Sequence, residues 1–204
     1  MRARVTEIES LAPAVQQLTI SILEGFSFLA GQYVTFRFPG GISRAYSIAS
    51  APEQPDAVQL CIRLGTGPGS AAIDRLREGD EVEIEGPYGE FIVPPEARDL
   101  VFIAGDTGIA PVRSIVLHRI ASETPGTISV LYEAESSDLL YATDFEPLAI
   151  TYQRAAVDEL VARNRHAIAR AMIMVVGYDP FLRRAEAALG SDWSRAIVET
   201  FGTL

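Results

Sequence analysis

Apolar and polar positions alternate in short runs through the first half of the chain. The runs lie at Gln16–Ile22, Tyr33–Phe38, Ala45–Ile48, Val58–Ile62 and Glu81–Glu85, with Val5 in a similar stretch near the start. A period of two with β-branched enrichment predicts strands that bury one face. Gly25, Gly31, Pro39-Gly40-Gly41, Pro52, Pro55, Gly65–Gly69 and Gly79 fall between the runs as turn residues. Short, evenly spaced strands of this kind predict a six-stranded antiparallel β-barrel of the Greek-key type. One short helix is predicted over Ser70–Leu76, with Ser70 as its N-cap.

After Asp99 the pattern changes. Leu100–Ala104, Thr127–Tyr132 and Met172–Val176 are apolar strand-length runs. Between and after them, Ile109–Ile120, Ala155–Arg170 and Phe181–Leu189 carry helical spacing. Continuous apolar strands alternating with helices predict a parallel sheet covered on both faces, an α/β domain. The stiff segment Pro94–Arg98 marks the boundary, giving domains at 1–97 and 98–204. Ligands of open α/β sheets bind beyond the carboxyl ends of the strands, which places the chemistry where the two domains meet.

Composition removes several classes. The net charge is −10, so nucleic acid is not an expected partner. Cys61 is the single cysteine, which rules out an internal disulfide and a cysteine-ligated iron–sulfur cluster. His118 and His166 are the two histidines, and no metal site is expected from them. Arginine supplies every side-chain cation besides histidine, so no lysine chemistry is available. No apolar run reaches the length of a membrane span, and Met1-Arg2-Ala3-Arg4 opens no signal-peptide pattern; a cytoplasmic location is the default expectation.

Arg44-Ala45-Tyr46-Ser47 leads from a turn into a strand. An arginine, an aromatic ring and a hydroxyl this close suit a phosphorylated flat heterocycle, through bidentate charge pairing, stacking and hydrogen bonding. Upstream lies Ala30-Gly31-Gln32-Tyr33-Val34. Downstream come Gly67-Pro68-Gly69-Ser70 and Gly86-Pro87-Tyr88-Gly89-Glu90-Phe91. In order and spacing these elements resemble the ferredoxin–NADP reductase superfamily over nearly the whole first half. The resemblance implies a bound FAD. Arg44 would hold its phosphate, Tyr46 would pack on the isoalloxazine and Ser47 would bond near N5, while Gly67, Pro68, Gly69 and Ser70 would form the phosphate turn. Taken alone, the same residues read as an ordinary strand start and a flexible turn.

The second half resembles the same superfamily at Gly105-Asp106-Thr107-Gly108-Ile109-Ala110-Pro111, a turn between an apolar strand and a helix. This similarity implies a nicotinamide dinucleotide against Gly105, Asp106, Thr107, Gly108 and Pro111, with Thr107 beside the nicotinamide ring. Asp106 stands where the family has glycine, and its carboxylate is expected to repel a pyrophosphate. Val176-Gly177-Tyr178-Asp179-Pro180 retains the family glycine at Gly177 but carries Val176 in place of a cysteine. The stretch from Thr151 to Arg170 is shorter than the corresponding family loop. Glu133 and Glu135 follow the second strand of this half. They would repel a 2′-phosphate and accept from a free ribose hydroxyl, which favours NADH over NADPH. Phe201 is the candidate for the family's late aromatic shielding the flavin.

These features together imply a flavin-dependent oxidoreductase that passes electrons from NADH through FAD. Ser47 and Thr107, the candidate catalytic residues, would orient the two rings. The acceptor would be separate: a ferredoxin, an oxygenase component or free flavin. No fused ferredoxin domain is expected, given the length and the lone cysteine. The competing reading is a flavin-binding electron-relay subunit that has lost nicotinamide binding, motivated by Asp106, Val176 and the short late loop.

Overall fold

The computed structural model describes residues 1–22, 25–38, 41–54, 57–134 and 140–202. Turn residues Pro39, Gly40 and Pro55, and the acidic Glu135 and Asp138 with Ser136 and Ser137, lie outside them.

Among the described residues the first half forms six strands: β1 (Arg2–Ala12), β2 (Val15–Ile22), β3 (Tyr33–Phe38), β4 (Ile42–Ser47), β5 (Val58–Arg63) and β6 (Glu81–Tyr88). Their order is β4-β3-β6-β1-β2-β5, with every pairing antiparallel. An isolated bridge between Ile48 and Leu60 joins the two outer edges and closes the barrel. Alternation places Leu18, Ile20, Val34, Phe36, Leu60 and Ile84 inside, all fully buried.

The second half is a parallel sheet of five described strands with helices on its faces. In chain order these are β7 (Leu100–Gly105), α2 (Ile109–Ala121), β8 (Ile128–Glu133), α3 (Ala142–Phe145), β9 (Thr151–Arg154), α4 (Val157–Arg163), α5 (Arg165–Ile168), β10 (Met172–Gly177), α6 (Asp179–Leu189) and β11 (Ile197–Thr200). The remaining helix, α1 (Pro68–Asp74), lies between β5 and β6. The sheet order is β11-β10-β7-β8-β9. Central β7 is buried throughout. Its Phe102 and Ala104 share a core with Val112 and Ile115 of α2, while Val101 and Ile103 share one with Leu160 of α4 and Leu182 of α6. Burial on both faces is why its sequence reads as an unbroken apolar run.

Three expectations change. Helix α1 starts at Pro68, and Ser70 does not cap it: the Ser70 hydroxyl accepts the Gly65 N–H at 2.8 Å and closes the preceding turn instead. The helix expected over Ala155–Arg170 is two short ones broken at Asn164. There the Asn164 amide donates to the Leu160 carbonyl at 2.8 Å and exchanges hydrogen bonds with Gln153, a side chain competing with the backbone ladder. The four-residue strands β9 and β11 add two edges to the sheet that the apolar runs did not reveal.

Helix α2 fastens the two halves together. Arg113 donates to the Ala49 carbonyl at 2.8 Å and to Gln59 Oε1 at 2.9 Å, both on the barrel. The same guanidinium pairs with Asp144 and lies 4.6 Å from the centre of the Tyr141 ring. Next to it, the fully buried Ser114 hydroxyl donates to the Ser50 carbonyl at 2.7 Å.

Candidate active site

Strand β4 delivers the first group of side chains. Its register against β3 sets Arg44 opposite Phe36, Tyr46 opposite Val34 and Ser47 opposite Tyr33. Arg44 and Tyr46 therefore share one face, with Ala45 and Ser47 on the other. The Arg44 arm crosses Gly69 at the start of α1, so closely that a Cβ on Gly69 would sit 2.9 Å from the arginine Cγ. A larger residue at position 69 would push the arginine arm aside. The Tyr46 ring meets Phe36 edge-on at 5.6 Å, and burial pushes its phenol up to about 12. It stays a neutral, flat surface at any ordinary pH.

The second group comes from the strand ends of the α/β half. Gly105 leads into a 3₁₀ turn over Asp106–Gly108, with Asp106 in the left-handed region at φ 52°. The Asp106 carboxylate is buried and both its oxygens are gripped by the Arg63 guanidinium from the end of β5. The carboxylate expected to repel a pyrophosphate is thus ion-paired with a guanidinium from the barrel.

Three glycines of this half leave room for close packing. A Cβ on Gly105 or Gly177 would fall 2.5 Å or 2.7 Å from the Phe181 ring, and one on Gly108 would fall 2.6 Å from the Val176 carbonyl oxygen. Pro111 is buried in the first turn of α2. Val176, in the family's cysteine position, is fully buried. Glu133 is not a bare carboxylate either. It accepts the Val157 N–H at 2.7 Å and holds the Arg184 guanidinium, with one contact at 2.9 Å. Its partner in the earlier charge argument, Glu135, lies outside the described residues.

Between the two halves runs a cleft of about 680 Å³, within the span of ordinary small-molecule sites. Arg44, Ala45, Tyr46, Ser47, Gly67 and Ser70 line it from the barrel, and Thr107 and Phe201 from the other half. Pro68, Gly69, Gly105, Asp106, Gly108, Pro111, Glu133 and Gly177 are not among its lining residues. Other lining residues were not among the candidate site residues, Tyr33, Cys61, Arg63, Tyr178 and Glu199 among them. Cys61 and Arg63 follow from the strand period once β5 is known to end at the cleft. Glu199 sits on a strand too short to recognise. Burial pushes the Cys61 thiol up to about 12, which keeps it protonated.

Burial also raises the half-buried Glu199 carboxyl above its ordinary value near 4.5. A carboxyl with a raised folded pKa binds its proton more tightly in the folded state, so stability falls as pH climbs from the unfolded value through the folded one. Glu199→Gln is expected to raise the melting temperature more at pH 7 than at pH 4. Equal shifts at the two pH values in a thermal melt would contradict that assignment.

Comparison with known proteins agrees with this geometry. Residues 2–92 match the oxidoreductase FAD-binding domain family and residues 102–176 the oxidoreductase NAD-binding domain family. A ferredoxin–NADP reductase B of Sorangium cellulosum (strain So ce56) is 30% identical over 93% of this chain and 81% of its own length. The reductase component DmpP of phenol 2-monooxygenase, from Pseudomonas sp. (strain CF600), is 35% identical over 72% of this chain and 43% of its own length. A solved ferredoxin–NADP⁺ reductase of Plasmodium falciparum superposes with a TM-score of 0.86 at 20% identity, covering 98% of this chain and 95% of that one. The chain belongs to the ferredoxin–NADP reductase superfamily. It spans less than half the length of the first two curated relatives, 43% and 44%. No helix among the described residues is long and apolar enough to cross a membrane.

Proposed function

We propose that this chain is an NAD(P)H-dependent flavin oxidoreductase that takes electrons from NADH through FAD and hands them to a separate acceptor. The observation that carries the reading is the cleft itself, with Arg44, Tyr46 and Ser47 converging on it from one wall and Thr107 from the other. The residues suit FAD: the Arg44 arm laid over Gly69 offers a guanidinium for phosphate, and the neutral Tyr46 ring offers a face for a flat tricycle. When bound, FAD supplies two-electron acceptance from a nicotinamide and one-electron release to a partner. The chain's own residues bind and align: Arg44 anchors, Tyr46 supports the ring, and the Ser47 and Thr107 hydroxyls orient from opposite walls.

The paired state of Asp106 supports the enzyme over the electron-relay reading, since the carboxylate no longer brings net repulsion to a dinucleotide. Several relatives are named as reductase components of oxygenase systems, which favours an oxygenase component as the acceptor. Glu133 retains a negative charge at the strand end but shares it with Arg184, so NADH is preferred by a narrow margin over NADPH.

Anaerobic stopped-flow mixing of the flavin-loaded protein with NADH tests this. Loss of the flavin colour is expected, faster with NADH than with NADPH. Persistent colour with both dinucleotides would leave the relay reading standing. Protein that purifies colourless and consumes NADH after flavin is added would make flavin the substrate.

A further inference from the structure

The α/β sheet meets the barrel in an apolar core that holds Tyr132 of β8, Tyr141 before α3, and Val15 and Cys61 of the barrel. Gln17 lies on the same face of β2 as Val15 and is the cross-strand partner of Cys61 on β5. Across the seam, Tyr152 of β9 pairs with Val130, two residues before Tyr132, so all three share one face of the sheet. Tyr152 stacks on Phe145 at 5.4 Å. Tyr132 is within electrostatic reach of Cys61 and Tyr152, and the Tyr141 phenol neighbours the Cys61 thiol.

Tyr132, Tyr141 and Gln17 are 0%, 7% and 6% exposed. The hydroxyls of Tyr132, Tyr141 and Tyr152 and the Gln17 Oε1 are buried, and none has a protein hydrogen-bond partner among the described residues. The Gln17 amide nitrogen is already spent on Glu9, at 3.2 Å. Burial holds the phenols of Tyr132 and Tyr141 well above their ordinary value, so each keeps a proton to donate. A buried hydroxyl without a partner is costly, and a phenylalanine ring would fill the same place without that cost. Four such atoms in one seam call for a partner that both donates and accepts.

We propose that the seam between the two halves is a binding site for internal water, held chiefly by the Tyr132 and Tyr141 hydroxyls, with the Gln17 oxygen and the Tyr152 hydroxyl as further partners. Water suits this donor set, because a buried molecule takes about three hydrogen bonds and can donate and accept at once. It joins phenols of the α/β half to an amide of the barrel where neither reaches the other directly. Cys61 belongs both to this core and to the lining of the cleft, so the water lies behind the cleft wall. Its presence does not depend on which ligands the cleft takes.

Oxygen-17 relaxation dispersion of the solvent counts long-lived water molecules inside the full chain. Tyr132→Phe, Tyr141→Phe and the double variant remove the hydroxyls and keep the rings, including the one over which Arg113 lies. The double variant is expected to hold fewer long-lived waters than the unaltered protein. Each single variant is expected to melt about 2–4 °C lower, through the loss of one hydrogen bond. An unchanged water count in the folded double variant would overturn the proposal. Melting temperatures that rise in both single variants would overturn it too, because the hydroxyls would then be dry and unpaired. Should the double variant fail to fold, a high-resolution crystal structure of the unaltered chain decides. Water density within hydrogen-bonding distance of both hydroxyls is expected there, and its absence would reject the site.

Discussion

Arg63→Leu is expected to cost about 3–5 kcal/mol of folding stability, because it strands the Asp106 carboxylate without its partner. The side chains are only 17% and 7% exposed, so water replaces little of the lost contact. For a chain of this size that corresponds to a fall in melting temperature of roughly 6–20 °C. Asp106→Asn in the same background is expected to restore most of the loss, since the uncompensated charge is gone. A loss below 1 kcal/mol in denaturant unfolding would show the pair to be solvated in solution. Asp106→Gly has a different consequence: it suits the positive φ and takes a buried carboxylate away from the mouth of the cleft. Tighter NADH binding is expected there, and should disappear in the Arg63→Leu/Asp106→Gly double variant. If it persisted, the gain would owe nothing to the Arg63 charge.

The other large effect concerns the flavin. Arg44→Ala removes a charge-assisted phosphate contact, a loss of about 1.5–3 kcal/mol, or roughly 10- to 150-fold in flavin affinity. Arg44→Lys should recover part of this, because an ammonium keeps the charge and loses the two-pronged geometry. Recovery of flavin fluorescence quenching on titrating apoprotein measures both. Flavin affinity unaltered by the alanine substitution would remove Arg44 from the site.

The barrel was legible because each strand buries one face and so prints a period of two, as in Tyr33–Phe38. Helices α2 and α6 were legible from helical spacing and from Gly or Pro at their starts. Strands β9 and β11 were not, since four residues at a sheet edge carry too few buried positions to stand out. The break at Asn164 was hidden for another reason. It depends on a contact with Gln153, which only the folded chain supplies. The same distinction holds at the cleft. Arg44, Tyr46, Ser47 and Thr107 belong to contiguous motifs and could be read directly. The partners of Asp106 and Glu133 lie 43 and 51 residues away from them along the chain. An isolated charge in a sequence carries no mark of what will neutralise it. Gly105 and Gly177 teach a related lesson: their missing side chains make room for Phe181, a packing need that the motif does not reveal.

Arg113 and Ser114, anchored in barrel carbonyls from α2, bear on how the molecule exchanges its ligands. With α2 tied to the barrel by these hydrogen bonds, shifting the two halves past one another would have to break them. Ligand exchange is therefore expected to leave the distance between the two halves nearly unchanged. Heating should likewise melt both lobes in one cooperative step.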